Sequence, residues 1–253
     1  MFDAIIPELI TLTRVVGKNI MSYYKGEVSF DIKDDNTPLT IVDKKSHDLI
    51  VDGLNKITPG LEILSEESEG ITFEERSTWQ EYWLIDPLDG TRDFLEETGE
   101  FCICIAYIKN NKPIFGMIYS PVSSTHYYTN DSGKTIKECN NNRQLLEVKK
   151  PSTPIRVVVG QHSANNMRLL SYLNKNNIEN VNKLGSALKF CAIAEGLYDY
   201  YPRFGPCSEW DTAAGVCILE CAGGRVVDIN NESLLYNTKE DLTSPVFFAS
   251  GKP

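Results

Sequence analysis

Trp83-Leu84-Ile85-Asp86-Pro87-Leu88-Asp89-Gly90-Thr91 is the stretch on which the fold and its chemistry turn. An apolar run that ends in Asp86 predicts a strand, and Pro87, with no N–H to donate, predicts an end to regular ladder pairing. Two carboxylates, Asp86 and Asp89, then fall within one turn. Gly90 allows a tight bend or a close backbone approach. Thr91 stands where a following helix would begin, so its hydroxyl and the nearby amides can face an anion. Hard divalent cations take oxygen ligands, and magnesium keeps water positions that a substrate phosphate can occupy. Taken alone, Asp-x-x-Asp reads better as a turn that caps a helix.

Two other stretches repeat the pattern. The apolar run at 61–64 ends in Ser65-Glu66-Glu67-Ser68, again placing carboxylates at the end of a strand. Glu209-Trp210-Asp211-Thr212-Ala213-Ala214-Gly215 puts an acid at the start of a helix whose small residues permit close packing. A helix N-terminus favours a carboxylate on dipole grounds, so Asp211 reads equally well as a cap and as a ligand. Three acidic element ends and Thr91 together suit a multi-metal phosphate site, where metals activate water and neutralise the leaving oxygen.

Outward from these motifs, Ile5, Leu9, Leu12, Val16 and Ile20 recur at helical spacing and predict an amphipathic helix over 2–24. Asp34-Asp35-Asn36-Thr37-Pro38 reads as a turn before a second helix, which starts near Thr40 and stops before Pro59. β-like runs follow at 61–64, 81–85, 101–108, 112–120 and 125–129. The run at 101–108, FCICIAYI, is apolar on both faces and predicts a central strand. Asn110-Asn111 predicts a hairpin turn after it. Lys149-Lys150-Pro151-Ser152-Thr153-Pro154 is a linker-like break. Beyond it strands alternate with helices: IRVVVG, a helix around 164–176, GSALKFCAIAEG, YDYY, a helix from about Glu209 to Ala222, and GRVVDI. The expected class is α/β, with an α+β half over 1–150 and an α/β half over 151–253.

Composition excludes some functions. Of 253 residues, 42% are hydrophobic and 24% charged, and the net charge is −10. That balance argues against a nucleic-acid groove, which needs dense Lys and Arg. It still permits a small anion, because a metal inverts the field of a carboxylate site. Seven cysteines, none in a CxxC pair and most inside apolar runs, read as buried free thiols in a reducing compartment. The N-terminus lacks a basic n-region, and no apolar run reaches membrane-spanning length. A cytoplasmic location follows as an expectation, with weak peripheral attachment to the inner membrane and the oligomeric state left open.

The set SEES (65–68), DPLDGT (86–91) and WDTAAG (210–215), in this order and spacing, resembles the inositol monophosphatase superfamily of lithium-sensitive magnesium phosphomonoesterases. The resemblance implies a layered αβαβα sandwich of the inositol monophosphatase and fructose-1,6-bisphosphatase type. In it the first half is metal-binding and the second substrate-binding. It implies two or three Mg2+ ions on Glu66, Asp86, the Leu88 carbonyl, Asp89 and Asp211. It also implies a catalytic pair, Asp43 and Thr91, that activates water, with Glu67 as indirect support. On the residues alone Asp43 is one acid on a helix surface.

GSALKFCAIAEG (185–196), YPRFGPCSEWDTAAG (201–215) and GEFCICIAYI (99–108) are similar to the bacterial CysQ-type 3′(2′),5′-bisphosphate nucleotidases. That branch implies hydrolysis of adenosine 3′,5′-bisphosphate to AMP and phosphate in support of sulfate assimilation, with the sulfated precursor left open as a substrate. The implied substrate contacts are Glu66, Asp89, Gly90, Thr91, Ser186, Lys189, Arg203 and Asp211, with Gly185 permitting close approach. A second phosphate calls for its own counter-charge, which Arg203 and Lys189 suit. Otherwise Lys189 snorkels from a helix and Arg203 is a surface loop charge. The chain departs from the branch at Gly160-Gln161-His162-Ser163, and His162 carries no assigned role. An inositol-1-phosphate or sugar-phosphate phosphatase, with Asp199 and the 200–210 loop facing a polyol, is the alternative. A non-enzymatic anion-sensing module is more remote, since it has no use for a water-activating pair.

Overall fold

The computed structural model describes residues 1–26, 30–32 and 38–252, so residues 34–37 of the expected turn lie outside the described residues. Helix α1 (Phe2–Tyr23) buries Ile6, Leu9, Val16 and Ile20 along one stripe. Strands β1 (Phe30–Ile32) and β2 (Pro38–Thr40) pair antiparallel and lead into α2 (Ile41–Ile57), which buries Val42, Ile50 and Leu54.

The main sheet holds β3 (Glu62–Ser65), β4 (Glu81–Asp89), β5 (Cys102–Lys109), β6 (Lys112–Ser120), β7 (Thr125–Thr129), β8 (Thr135–Cys139) and β9 (Asn142–Leu146) in that order. The β3–β4 pair is parallel and the remaining pairs are antiparallel. Short helices α3 (Phe73–Arg76) and α4 (Thr91–Leu95) flank β4. As expected, β5 is interior and buried on both faces. Asn110 and Asn111 have φ of 50° and 62°, the left-handed pair whose twist matches a two-residue hairpin. Pro87 does not end the strand. The β4–β5 register breaks after Asp86↔Cys104 and resumes at Asp89↔Cys102, so Pro87 and Leu88 ride in a bulge that turns both acids toward one edge. The sequence reading did not include β8 and β9; four of the five β9 side chains are exposed, which erases any alternation.

The second sheet has the order β11-β10-β12-β14-β13, built from β10 (Val157–Val159), β11 (Val181–Lys183), β12 (Tyr200–Arg203), β13 (Arg225–Asp228) and β14 (Phe247–Ser250). A 3-10 turn, Ser163–Asn165, precedes α5 (Met167–Lys175); α6 (Leu188–Ala194) and α7 (Trp210–Cys221) follow. Strands β11 and β14 were also missing from the sequence reading.

Three apolar clusters define the layers. One face of the main sheet, with Trp83, Ile85, Ile103 and Ile105, packs on α1 and α2. The other, with Leu84, Cys104 and Ala106, packs on α6 and α7, which also meet Val158, Tyr201 and Ala249 of the second sheet. Outside that sheet Val157 and Val159 meet Leu169 and Leu173 of α5. The order is αβαβα. Helix α7 enters close to the sheet because Gly116 has no side chain: a Cβ there would lie 2.5 Å from the Ala214 carbonyl oxygen. A methyl added at that contact costs about 1–3 kcal/mol through overpacking.

Candidate active site

Strand β4, through its bulge, and the first turn of α7 bring Asp86, Asp89 and Asp211 together, with carboxylate oxygens all within 4.8 Å of one another. A backbone amide fixes one oxygen of each: Leu88 N–H donates to Asp86 Oδ1 at 3.0 Å, Ala187 N–H to Asp89 Oδ2 at 2.5 Å, and Ser208 N–H to Asp211 Oδ2 at 2.9 Å. The other oxygens remain for a ligand. Glu66 follows β3, its N–H bonded to the Ile85 carbonyl at 3.2 Å, and lines the same cavity of about 640 Å³ with Leu88 and Thr91.

Burial pushes the Asp86 carboxyl well above the usual range, and Glu66, Asp89 and Asp211 add repulsion. Asp89 and Asp211 are raised by burial as well, with Lys189 opposing the rise in both. Such a set stays ionised when a cation neutralises it. Its donors are all hard oxygens, and they fit a magnesium-type ion.

Asp43 sits in the first turn of α2, and the expectation of an acid on a helix surface is corrected: it is buried. Its Oδ2 accepts the Thr40 N–H at 2.7 Å and the Thr40 hydroxyl at 2.6 Å, while Oδ1 accepts the Thr91 hydroxyl at 2.9 Å. Thr40 and Asp43 form a reciprocal capping box. Thr-x-x-Asp before an apolar run carries that signal in the sequence. Thr91 opens α4 behind Gly90, whose φ of 92° places the turn.

A second cavity, of about 450 Å³, adjoins the first across Asp89, Gly90 and Asp211, and is lined by Ser186, Lys189 and Arg203. Lys189 is buried; its ammonium donates to the Leu184 and Ser186 carbonyls and sits 5.2 Å from the centre of the Tyr201 ring. Burial and then Arg203 push its pKa down to about 8. Arg203 Nε and Nη2 donate to the Gly205 and Pro206 carbonyls at 3.2 and 2.7 Å. Its Nη1 lies against Gly160, where a Cβ would come within 3.2 Å. Neither cation is a simple surface charge.

Other expectations change. The close approach at Gly185 is to Glu100, whose carbonyl oxygen would lie 2.6 Å from an added Cβ. Glu100, which the sequence reading missed, accepts the Gly185 N–H at 2.7 Å and Gln161 Nε2 at 3.2 Å. It thereby ties the start of β5 to the loop before α6. Asp199 lines neither of these cavities: it is buried against Arg156, at 2.8 Å, and Ser152. His162 borders both cavities, 3.8 Å from Asp93 Oδ1 and Glu96 Oε2. His47 bonds Ser65 Oγ at 2.9 Å, and His126 is a buried core residue stacked on Tyr119 and bonded to Thr13. All seven cysteines are free, but only four are buried as expected, with Cys139, Cys207 and Cys221 half-buried; Cys102 and Cys104 lie under Asp89. No described helix is long and apolar enough to cross a membrane.

The chain is 40% identical over 241 residues to the 3′(2′),5′-bisphosphate nucleotidase CysQ of Escherichia coli (strain K12), covering 94% of this chain and 96% of that protein. It is 37% identical over 243 residues to the protein of the same name from Haemophilus influenzae, covering 93% and 88%. CysQ from Bacteroides thetaiotaomicron, a bacterial member of the inositol monophosphatase family, superposes with a TM-score of 0.80 at 33% identity, covering 96% of this chain and 95% of that one. A staphylococcal IMPase-I complexed with products reaches 0.81 at 18% identity, covering 100% and 92%, and shares the fold. The model of the inositol monophosphatase family matches residues 3–248. By that near-complete match, the chain belongs to the inositol monophosphatase family.

Proposed function

We propose that the protein is a magnesium-dependent 3′(2′),5′-bisphosphate nucleotidase that hydrolyses the 3′-phosphate of adenosine 3′,5′-bisphosphate to give AMP and phosphate. One observation carries the choice of substrate. The carboxylate cavity adjoins a second cavity that Lys189 lines, while Arg203 and Arg92 border both, so the pair suits a molecule with two separate phosphates. The relatives at up to 40% identity, named as nucleotidases of this kind, support it. The cytoplasm is the proposed compartment, which suits seven free thiols.

In this reading Glu66, Asp86, the Leu88 carbonyl, Asp89 and Asp211 hold two or three magnesium ions. Bound there, magnesium supplies Lewis-acid neutralisation of the phosphoryl charge and of the leaving oxygen. Thr91 donates its proton to Asp43 at 2.9 Å, which leaves a hydroxyl lone pair to accept a proton from water entering the cavity. The water oxygen bonds to phosphorus as its proton passes through Thr91 to Asp43, the bond from phosphorus to the 3′-oxygen breaks, and that oxygen takes a proton from solvent in the cavity and leaves as a hydroxyl. Lys189, Arg203 and Ser186 grip the phosphate that is not cleaved; Arg203, with two of its N–H groups on loop carbonyls, does so as a fixed rather than a searching donor. The first half would serve the metals and the second the nucleotide.

The test is phosphate release from adenosine 3′,5′-bisphosphate, its sulfated precursor, inositol 1-phosphate and a sugar phosphate, each with and without magnesium and lithium. The bisphosphate should have the highest kcat/KM, with activity that needs magnesium and falls with lithium. A preference for inositol 1-phosphate would overturn the assignment.

A further inference from the structure

Cys102 and Cys104 stand two apart on β5, so both thiols leave the same face of the strand, the one turned to α6 and α7. The register places Cys104 opposite Asp86 and Cys102 opposite Asp89. Their sulfur atoms are 3.8 Å apart, and both approach one atom, Asp89 Oδ2, at 3.6 and 3.8 Å. Buried cysteines usually serve as small apolar residues. These two instead form a triangle of donors with a carboxylate, and nothing in the phosphatase chemistry above uses them.

The triangle has the dimensions of one face of a coordination tetrahedron. With metal–sulfur bonds of about 2.3 Å and a metal–oxygen bond of about 2.1 Å, tetrahedral angles give a sulfur–sulfur edge of about 3.8 Å and sulfur–oxygen edges of about 3.6 Å. The three side chains supply three corners, and both sulfurs belong to the buried core. We propose that Cys102, Cys104 and Asp89 form a site for a thiophilic divalent cation, zinc or cadmium, directly beneath the magnesium carboxylates. Both thiols are buried and line neither cavity, and Asp89, which lines both, is the member of the triangle that an entering ion meets first. One lone pair of Oδ2 stays with the Ala187 N–H, and the metal takes the place of the S–H donors on the other. Both thiols release their protons to solvent and bind as thiolates, and no electron changes hands. Magnesium, a hard ion, does not compete for sulfur. An ion so placed engages Asp89 and switches off the phosphatase. That inhibitory half rests on the magnesium role proposed for Asp89; the binding half does not.

Cadmium titration in magnesium buffer, followed by thiolate-to-cadmium charge-transfer absorption, reads the site without any substrate. One equivalent should saturate the wild type. Cys102→Ser combined with Cys104→Ser should lower cadmium affinity by at least about 100-fold, since removing groups that merely orient ligands already costs 10- to 100-fold. Cys217→Ser combined with Cys221→Ser, which removes the neighbouring thiol pair of α7, should leave the titration unchanged. If the double serine variant fails to fold, the single Cys102→Ala and Cys104→Ala variants carry the same expectation, because that strand face already accepts Ala106. Undiminished cadmium affinity without the two thiols overturns the proposal. In phosphatase assays zinc should inhibit the wild type, with inhibition that excess magnesium does not relieve, while the activity of the variant should resist it. Thiol-dependent cadmium binding with activity intact would leave the metal site standing and overturn its inhibitory half.

Discussion

Asp43→Asn separates proton transfer from every other property of the site. The carboxylate accepts three hydrogen bonds, two from Thr40 on Oδ2 and one from Thr91 on Oδ1. An amide has one oxygen to offer. Keeping that oxygen on Thr40 preserves two of the three bonds and turns the NH2 group toward Thr91, which must then accept instead of donate. The helix cap survives in large part, so the stability cost should stay below about 1 kcal/mol, or roughly 2–4 °C in Tm for a chain of this size. The Thr91 hydroxyl, however, no longer has a base to pass its proton to. General-base assistance is worth about 10²- to 10⁴-fold, so kcat should fall by that factor, equivalent to about 3–5 kcal/mol in the barrier. KM and the magnesium concentration for half-maximal activity should move by less than about threefold, because no ligand or substrate contact is removed. The measurements are kcat and KM from phosphate release across a magnesium titration, with a thermal melt on the same samples. Thr91→Val should match the loss, and Thr91→Ser should recover most of it. A kcat within about fivefold of wild type would refute the argument, since a true base cannot be removed so cheaply.

Arg203→Ala should lower kcat/KM for adenosine 3′,5′-bisphosphate by about 10- to 100-fold, from a charge-assisted contact of about 1.5–3 kcal/mol, and barely affect inositol 1-phosphate. Equal losses on both would assign Arg203 to holding the Gly205 and Pro206 carbonyls. Magnesium at about 100 times its Kd should add about 2.7 kcal/mol of stability, raising Tm by roughly 5–10 °C. In melts without magnesium, Asp89→Asn should be no less stable than wild type, because one mutually repelling carboxylate is gone, and it should lose most of the magnesium-induced rise. A wild-type Tm indifferent to magnesium would contradict the carboxylate cluster as its binding place. His126 supplies a pH test: burial, reinforced by Arg14 and opposed by Glu138, pushes its pKa down to about 3. The unfolded chain binds this proton near pH 6.5 and the native chain does not, so stability is full above about 6.5 and declines as pH falls toward 3. Between pH 6.5 and 5 the histidine should account for a loss of about 2 kcal/mol. Urea unfolding at several pH values should show a shallower slope in His126→Gln, and identical slopes would remove His126 as the cause.

The acids of the site were legible because each closes a local pattern. Asp86 ends an apolar run, Glu66 ends another, and Asp211 opens a stretch of small residues. Local pattern fails where a partner is distant in sequence. Glu100 carries no motif, and its meaning lies in the Gly185 amide across 85 residues. Asp89 takes its fixed orientation from the Ala187 amide, 98 residues away. The alternation in FCICIAYI shows that Cys102 and Cys104 share a face, but only the bulge at Pro87 decides that this face meets Asp89. Asp199 misled because acidity near a substrate loop looks the same whether the carboxylate faces a cavity or an arginine. Asp43 could have been read as buried, since Thr40-x-x-Asp43 writes its own cap. Strand β9 could not have been found this way, because an exposed edge carries no periodicity.

Helix α7 is buried without a break from Thr212 to Leu219 and lies between the two sheets, whereas α5 shows most of its surface to water. Amide hydrogen exchange should therefore divide the two helices sharply. The α5 amides can open through local fraying, but those of α7 have no route to solvent short of separating the sheets. Because Asp211 rides on the first turn of α7, the carboxylate cluster should disperse in the same event that unfolds the chain. Heat inactivation and loss of structure should then follow one curve, with no warm, folded and inactive state between them.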